Sequence, residues 1–148
     1  MKKEKLMIDN NAIDIIRENK SLLKIIRKKY NFYVSPSVLE ELSKIKDDKL
    51  EDRIRNIIAL IELNPKFIYD SVAIWDYSRF DCACLGNGEV YKKILNESKN
   101  NIRDAIIADT SVNNNCILFT CDKRFYNKMK KYDYKCVNID DLKEIAKN

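Results

Sequence analysis

The sequence has no histidine, two glycines, two prolines and a single tryptophan among its 148 residues. Lack of histidine excludes Ser-His-Asp and Cys-His catalysis within this chain, and His-ligated zinc or haem. The two glycines, Gly86 and Gly88, cannot assemble a phosphate-cradling loop or a dinucleotide fingerprint. No uncharged stretch approaches the ~20 residues of a membrane span. The opening MKKEKLMID is basic, but its apolar run stops at Asp9, which argues against a signal peptide. The five cysteines are odd in number and follow no regular framework. Cys82 and Cys84 form a CxC, while Cys116, Cys121 and Cys136 lie in apolar, strand-like surroundings where a thiol acts as a small hydrophobe. Reduced thiols and a cytoplasmic location are therefore expected. What remains for acid–base or metal chemistry is mainly carboxylate, with Lys, Tyr or Cys as lesser candidates.

The chain is 45% hydrophobic and 34% charged, which suits one folded domain over residues 1–148. Its net charge of +5 is uneven, with basic clusters at Lys24, Arg27, Lys28 and Lys29 and at Lys123, Arg124, Lys128, Lys130 and Lys131. Such clusters suit an anionic partner such as nucleic acid, and they equally suit solvated helix faces.

Short apolar runs alternate with helical periods. Leu6–Ile8, Phe32–Val34, Lys66–Tyr69, Cys116–Thr120 and Cys136–Val137 read as strands. Helices are expected over 11–18, 21–30, from Ser35 onward, 47–63, 89–98, 101–112, 123–131 and 141–147. In the helix over 47–63, Ile54, Ile57, Ile58 and Ile61 repeat at i, i+3, i+4, i+7 and mark it as amphipathic. The helix over 101–112 is apolar on nearly every side, the mark of a central helix. Segment 70–88 is irregular. Alternation of this kind predicts an α/β fold, a parallel sheet with helices on both faces.

In such sheets ligands bind at the carboxyl ends of the strands. Asp9 ends the first strand, Asp122 follows the strand at 117–120, and Asp104 lies in the first turn of the helix leading into that strand. In the helix after Ser35, Val38, Leu39, Leu42 and Ile45 define an apolar face at about 100° per residue. Glu41 flanks that face; Glu40 points toward solvent and has capping-box spacing from Ser37. Each acid has a plain alternative role: Asp122 as a helix cap, Asp104 as a capping partner of Asn101, Asp9 as a turn residue. Four acids converging on one edge would repel each other without a cation between them, and hard divalent ions such as Mg²⁺ or Mn²⁺ favour carboxylate oxygens.

Four segments resemble the PIN-domain ribonucleases, a family that includes VapC-type toxins. They are LMIDNNAI around Asp9, VSPSVLEEL with Glu41 before Leu42, IRDAIIADTSV around Asp104, and LFTCDKRF with Thr120, Asp122 and Phe125. The resemblance implies a three-layer α/β/α sandwich and metal-dependent cleavage of RNA phosphodiesters. It assigns Asp9, Glu41, Asp104 and Asp122 to an Mg²⁺ or Mn²⁺ site, with Asn11 and Thr120 supporting them. It also implies an RNA substrate and, for a toxin, a cognate antitoxin; homodimers are common in the family, with the helices over 37–63 as the candidate interface. Lys123, Arg124 and Arg79 are candidates for the RNA backbone, and Trp75, Tyr77 and Phe80 for stacking bases or for pinning their loop to the core. An RNA-processing nuclease and a non-catalytic binding module are the alternative readings. Asp109 departs from the family pattern, which has a small apolar residue there. It lies about 140° around the helix from Asp104 and is expected in an outer shell or at the surface. Asp70, Asp76 and Asp81 of segment 70–88 are candidates for an extra ligand, with solvation in the loop the favoured expectation.

Overall fold

A computed structural model describes residues 2–44, 46–96 and 101–147. The chain runs β1 (Glu4–Ile8), α1 (Asn10–Glu18), α2 (Lys20–Lys29), β2 (Tyr30–Val34), α3 (Pro36–Ser43), α4 (Leu50–Leu63) and β3 (Lys66–Phe67). It continues through α5 (Glu89–Asn96), α6 (Ile102–Asn113), β4 (Ile117–Phe119), α7 (Lys123–Lys131), β5 (Cys136–Val137) and α8 (Ile139–Lys147). Ile45 and the expected helix end at Ser98 lie outside the described residues. Among the described residues no helix is long and apolar enough to cross a membrane.

The strands form one sheet in the order β3-β2-β1-β4-β5, with every pairing parallel. Leu6, Met7 and Ile8 point alternately to the two faces, yet all three are fully buried. Helices therefore cover both faces, as the α/β/α reading expects. From β1 the chain steps outward to β2 and β3, then returns to lay β4 on the other side of β1. The carboxyl ends of β1 and β4 thus flank the topological switch point. Ile8 pairs with Phe119, and the Asp9 amide donates to the Phe119 carbonyl at 3.0 Å. This register brings Asp9 level with the residues that follow β4.

Helix α6 is as central as its composition predicts: every residue from Ala105 to Ser111 is buried. Helix α4 packs by a face other than its isoleucine stripe. Its core-facing residues are Asn56, Ala59, Leu60 and Leu63, themselves spaced i, i+3, i+4, i+7. Asn56 accepts a hydrogen bond from Arg17 of α1 at 3.1 Å. The isoleucine stripe sits two residues out of phase, about 200° around the helix. Ile54, Ile57, Ile58 and Ile61 are left 41–69% exposed. The periodicity was real, but the helix has two apolar faces and packs by the other one.

Segment 70–88 is irregular yet tied down by its main chain. The Asp70 amide donates to the Cys82 carbonyl (3.0 Å), and Cys84 donates back to Asp70 (2.7 Å). The Gly86 amide donates to the Ser71 carbonyl at 3.0 Å, and a Cβ on Gly86 would lie 2.3 Å from that oxygen. Gly86 therefore serves a close backbone approach. All five cysteines are unbridged.

Candidate active site

Asp9 is the N-cap of α1 and 3% exposed. Its extended backbone continues β1, and the helix begins directly behind it. One carboxylate oxygen accepts from the Asn10 amide at 2.8 Å; the other accepts from the buried Thr120 hydroxyl at 2.7 Å. Asn11 Oδ1 accepts from the Cys121 amide at 2.8 Å and lies 3.3 Å from the Thr120 hydroxyl. Thr120 Oγ1 also accepts from the Asp122 amide at 3.2 Å. The start of α1 and the turn after β4 are thus stitched together by Asn11 and Thr120, with Asp9 held between them.

Asp122 is the exposed N-cap of α7, accepting from the Phe125 amide at 2.9 Å. Capping and convergence are not alternatives for these two acids: a carboxylate that caps a helix at the end of a strand is already at the switch point. Asp104 stands half-buried in the first turn of α6, with the Asn101 side chain as a partner. Glu41 stands half-buried on α3.

The electrostatics bind the four into one group. Burial, then the charges of Asp9 and Asp104, push Glu41 up to about 7. Burial, then Asp9 and Asp122, push Asp104 up to about 7. Burial raises Asp9 as well, with Asp122 adding to it and the Thr120 hydroxyl opposing it. Each of these carboxylates is costly to ionise first because it is buried and then because its neighbours carry the same charge. Arg103 and Lys44 partly relieve Glu41, and Lys128 partly relieves Asp104.

A divalent cation fits this arrangement chemically: the donors are all hard oxygens, and their mutual repulsion is what a cation would remove. Asn10 Oδ1, beside Asp9, is a further buried oxygen with no hydrogen-bond partner among the described residues. Also among the described residues, no three His, Cys, Asp or Glu side chains are gathered tightly enough to hold an ion as they stand.

Lys123 and Asp122 line an open hollow of about 470 Å³, with Thr120, Tyr126 and Asn138, and Arg124 is exposed on the same helix. Arg79 is exposed and engaged with Asp81, its Nη2 donating at 2.9 Å. It lines a different hollow, against Pro36, Leu39 and Glu40. Trp75 and Phe80 are 76% and 59% exposed, so polar groups rather than these rings pin the loop.

Three carboxylates differ from their expected places. Glu40 does not cap a helix: α3 starts at Pro36 behind Ser35, and Ser37 is buried inside it. Glu40 instead accepts from Arg103 Nη2 at 2.7 Å. Asp109 is neither at the surface nor beside the four acids. It is fully buried, accepting from the Tyr91 amide at 3.0 Å, from Asn113 Nδ2 at 2.9 Å and from the Ser71 hydroxyl. Asp70 is 1% exposed, accepts from the Ser37 hydroxyl at 3.0 Å, and is pushed up to about 6 by burial. Arg103 escaped the sequence reading. Its signal was a lone cation in the first turn of an apolar helix, next to Asp104.

The PIN domain family matches residues 10–131. Among solved structures, the fold is similar to that of a protein from Pyrobaculum aerophilum, with a TM-score of 0.62 and 15% identity over 99% of this chain and 100% of that one. VapBC-1 from nontypeable Haemophilus influenzae gives 0.60 and 19% over 90% and 97%. VapBC2 from Rickettsia felis, bound to a DNA fragment from the promoter, gives 0.59 and 17% over 90% and 98%. No curated protein matches the chain in sequence. With four-fifths of its length matched, and with acids at the switch point of an all-parallel sheet, the chain belongs to the PIN domain family.

Proposed function

We propose that this protein is a metal-dependent endoribonuclease of the cytoplasm. The observation that carries the reading is the electrostatic coupling of Asp9, Glu41, Asp104 and Asp122 at the β1–β4 edge. Asp9, Glu41, Asp104 and Asp122 would hold Mg²⁺ or Mn²⁺. When bound, such an ion supplies Lewis acidity toward water and phosphate. Asp9 is the central ligand in this account, since both Glu41 and Asp104 feel its charge. Thr120 is its positioning residue, because the hydroxyl fixes one oxygen of Asp9 and frees the carboxylate from choosing among rotamers. Asn11 holds the turn after β4 against α1. Lys123 and Arg124 offer cations to an RNA backbone beside Asp122. The experiment is cleavage of single-stranded RNA with Mg²⁺ or Mn²⁺ present. We expect activity that EDTA removes and that Asp9→Asn lowers about a thousandfold or more. Undiminished cleavage by Asp9→Asn in EDTA contradicts the reading.

The exposed isoleucine face of α4 favours a second reading of biological role, the toxin of a toxin–antitoxin pair. Contiguous exposed apolar surface marks a partner site. An antitoxin or a second copy of the chain would cover Ile54, Ile57, Ile58 and Ile61. Growth arrest on expression, relieved by Asp9→Asn, supports a toxin; unimpaired growth with an active enzyme supports RNA processing.

A further inference from the structure

One arginine links the exposed aromatic loop to the acid edge. Arg103 immediately precedes Asp104 in the first turn of α6. Its Nη2 donates to Glu40, its guanidinium lies 5.8 Å from the centre of the Tyr77 ring, and its charge acts on Glu41. Its Nη1 is buried without a hydrogen-bond partner among the described residues. A buried donor left unmade is costly, and a guanidinium fork matches the oxygens of a phosphate. In the same loop as Tyr77, Trp75 and Phe80 meet edge to face with ring centres 5.7 Å apart. Both rings are largely open to solvent.

We propose that Arg103 and the Tyr77, Trp75 and Phe80 rings form a subsite for single-stranded RNA beside the acids. The partly exposed Arg103 guanidinium takes a backbone phosphate, and the exposed rings take an unpaired base. An unpaired base offers a π-face that these rings can stack on, whatever the sequence. The positive charge of Arg103 suits an anion, which favours RNA over an apolar protein surface. The proposal rests on the nuclease reading, and its test separates the two.

Trp75 is the only tryptophan in the chain, so its fluorescence reports the subsite directly. The Asp9→Asn chain is titrated with a mixed-sequence single-stranded RNA oligonucleotide, and with the same strand annealed to its complement. We expect a saturable change with the single strand and none with the duplex. Phe80→Ala weakens binding roughly five- to hundredfold, as loss of a stacking ring does. Arg103→Ala also weakens it and lowers the salt slope by about 0.7, the loss of one phosphate contact on a single strand. Glu40→Gln breaks the same ion pair but spares the guanidinium, and does not weaken binding. Equal losses from Arg103→Ala and Glu40→Gln reduce the pair to a structural role and overturn the assignment. A Trp75 that is silent to RNA, or that answers only to a protein partner, overturns it as well. If wild-type chain then still cuts RNA, the nuclease reading stands alone. A responsive Trp75 in a chain that cuts no RNA supports the subsite and defeats the nuclease reading.

Discussion

Helix α6 carries two acids five residues apart, and they live in opposite surroundings. Asp109 is completely enclosed, yet neutral donors from three places meet it: the Ser71 hydroxyl, the Tyr91 amide and Asn113. Asp104 is only half-buried; burial first, then the charges of Asp9 and Asp122, push it up to about 7. Depth of burial therefore does not separate structural from functional carboxylates here. The sign of the neighbours does. A buried acid surrounded by donors holds elements together, whereas one surrounded by other acids waits for a cation.

The largest expected effect falls on the structural side. Asp109→Ala strands three donors at the junction of α6, α5 and the 70–88 loop. We expect a loss of about 3 kcal/mol or more, a fall in Tm of roughly 10 °C by thermal denaturation. A fall of only a degree or two would mean that Asp109 is no such junction. Next comes Thr120→Val, which removes the hydroxyl from Asp9. Metal affinity measured by calorimetry should drop about ten- to hundredfold, the usual cost of losing a partner that orients a ligand.

Asp104→Asn should move stability the other way. Glu41 and Asp104 bind more protons folded than unfolded between the ordinary carboxylate range and about pH 7. Their contribution to stability therefore declines as pH rises through that window and is unfavourable above it. At pH 8 without metal, Asp104→Asn should raise Tm by a few degrees, and saturating Mg²⁺ should raise the wild type by more. A drop in Tm would place Asp104 with Asp109. The smallest effect is expected from Asp70→Asn. The amide keeps an acceptor for Ser37 and removes a charge that burial already disfavours at pH 7, since the carboxyl stands at about 6. Tm should shift by a degree or two, with RNA cleavage unchanged.

The sheet and the places of Asp9 and Asp122 were legible because both obey local rules. A short apolar run followed by an acid marks a strand's carboxyl end, and Asp9 and Asp122 also cap the helices that follow. The buried polar contacts were not legible because their partners are remote in sequence. Ser71 meets Asp109 across 38 positions, Ser37 meets Asp70 across 33, and Arg103 meets Glu40 across 63. No spacing rule reaches so far. The packed face of helix α4 was not legible for another reason: two stripes of the same period fit the helix, and periodicity alone does not say which one the core takes.

We propose that the acid edge, unlike the Asp109 junction, is a cation site. Calorimetric titration of Mn²⁺ at pH 7 tests it most directly, comparing wild type, Asp9→Asn and Asp70→Asn. We expect saturable binding to wild type and to Asp70→Asn, and its loss in Asp9→Asn. We also expect heats that change with the buffer, because Glu41 and Asp104 must give up protons. No binding to wild type, or equal binding to folded Asp9→Asn, would contradict it.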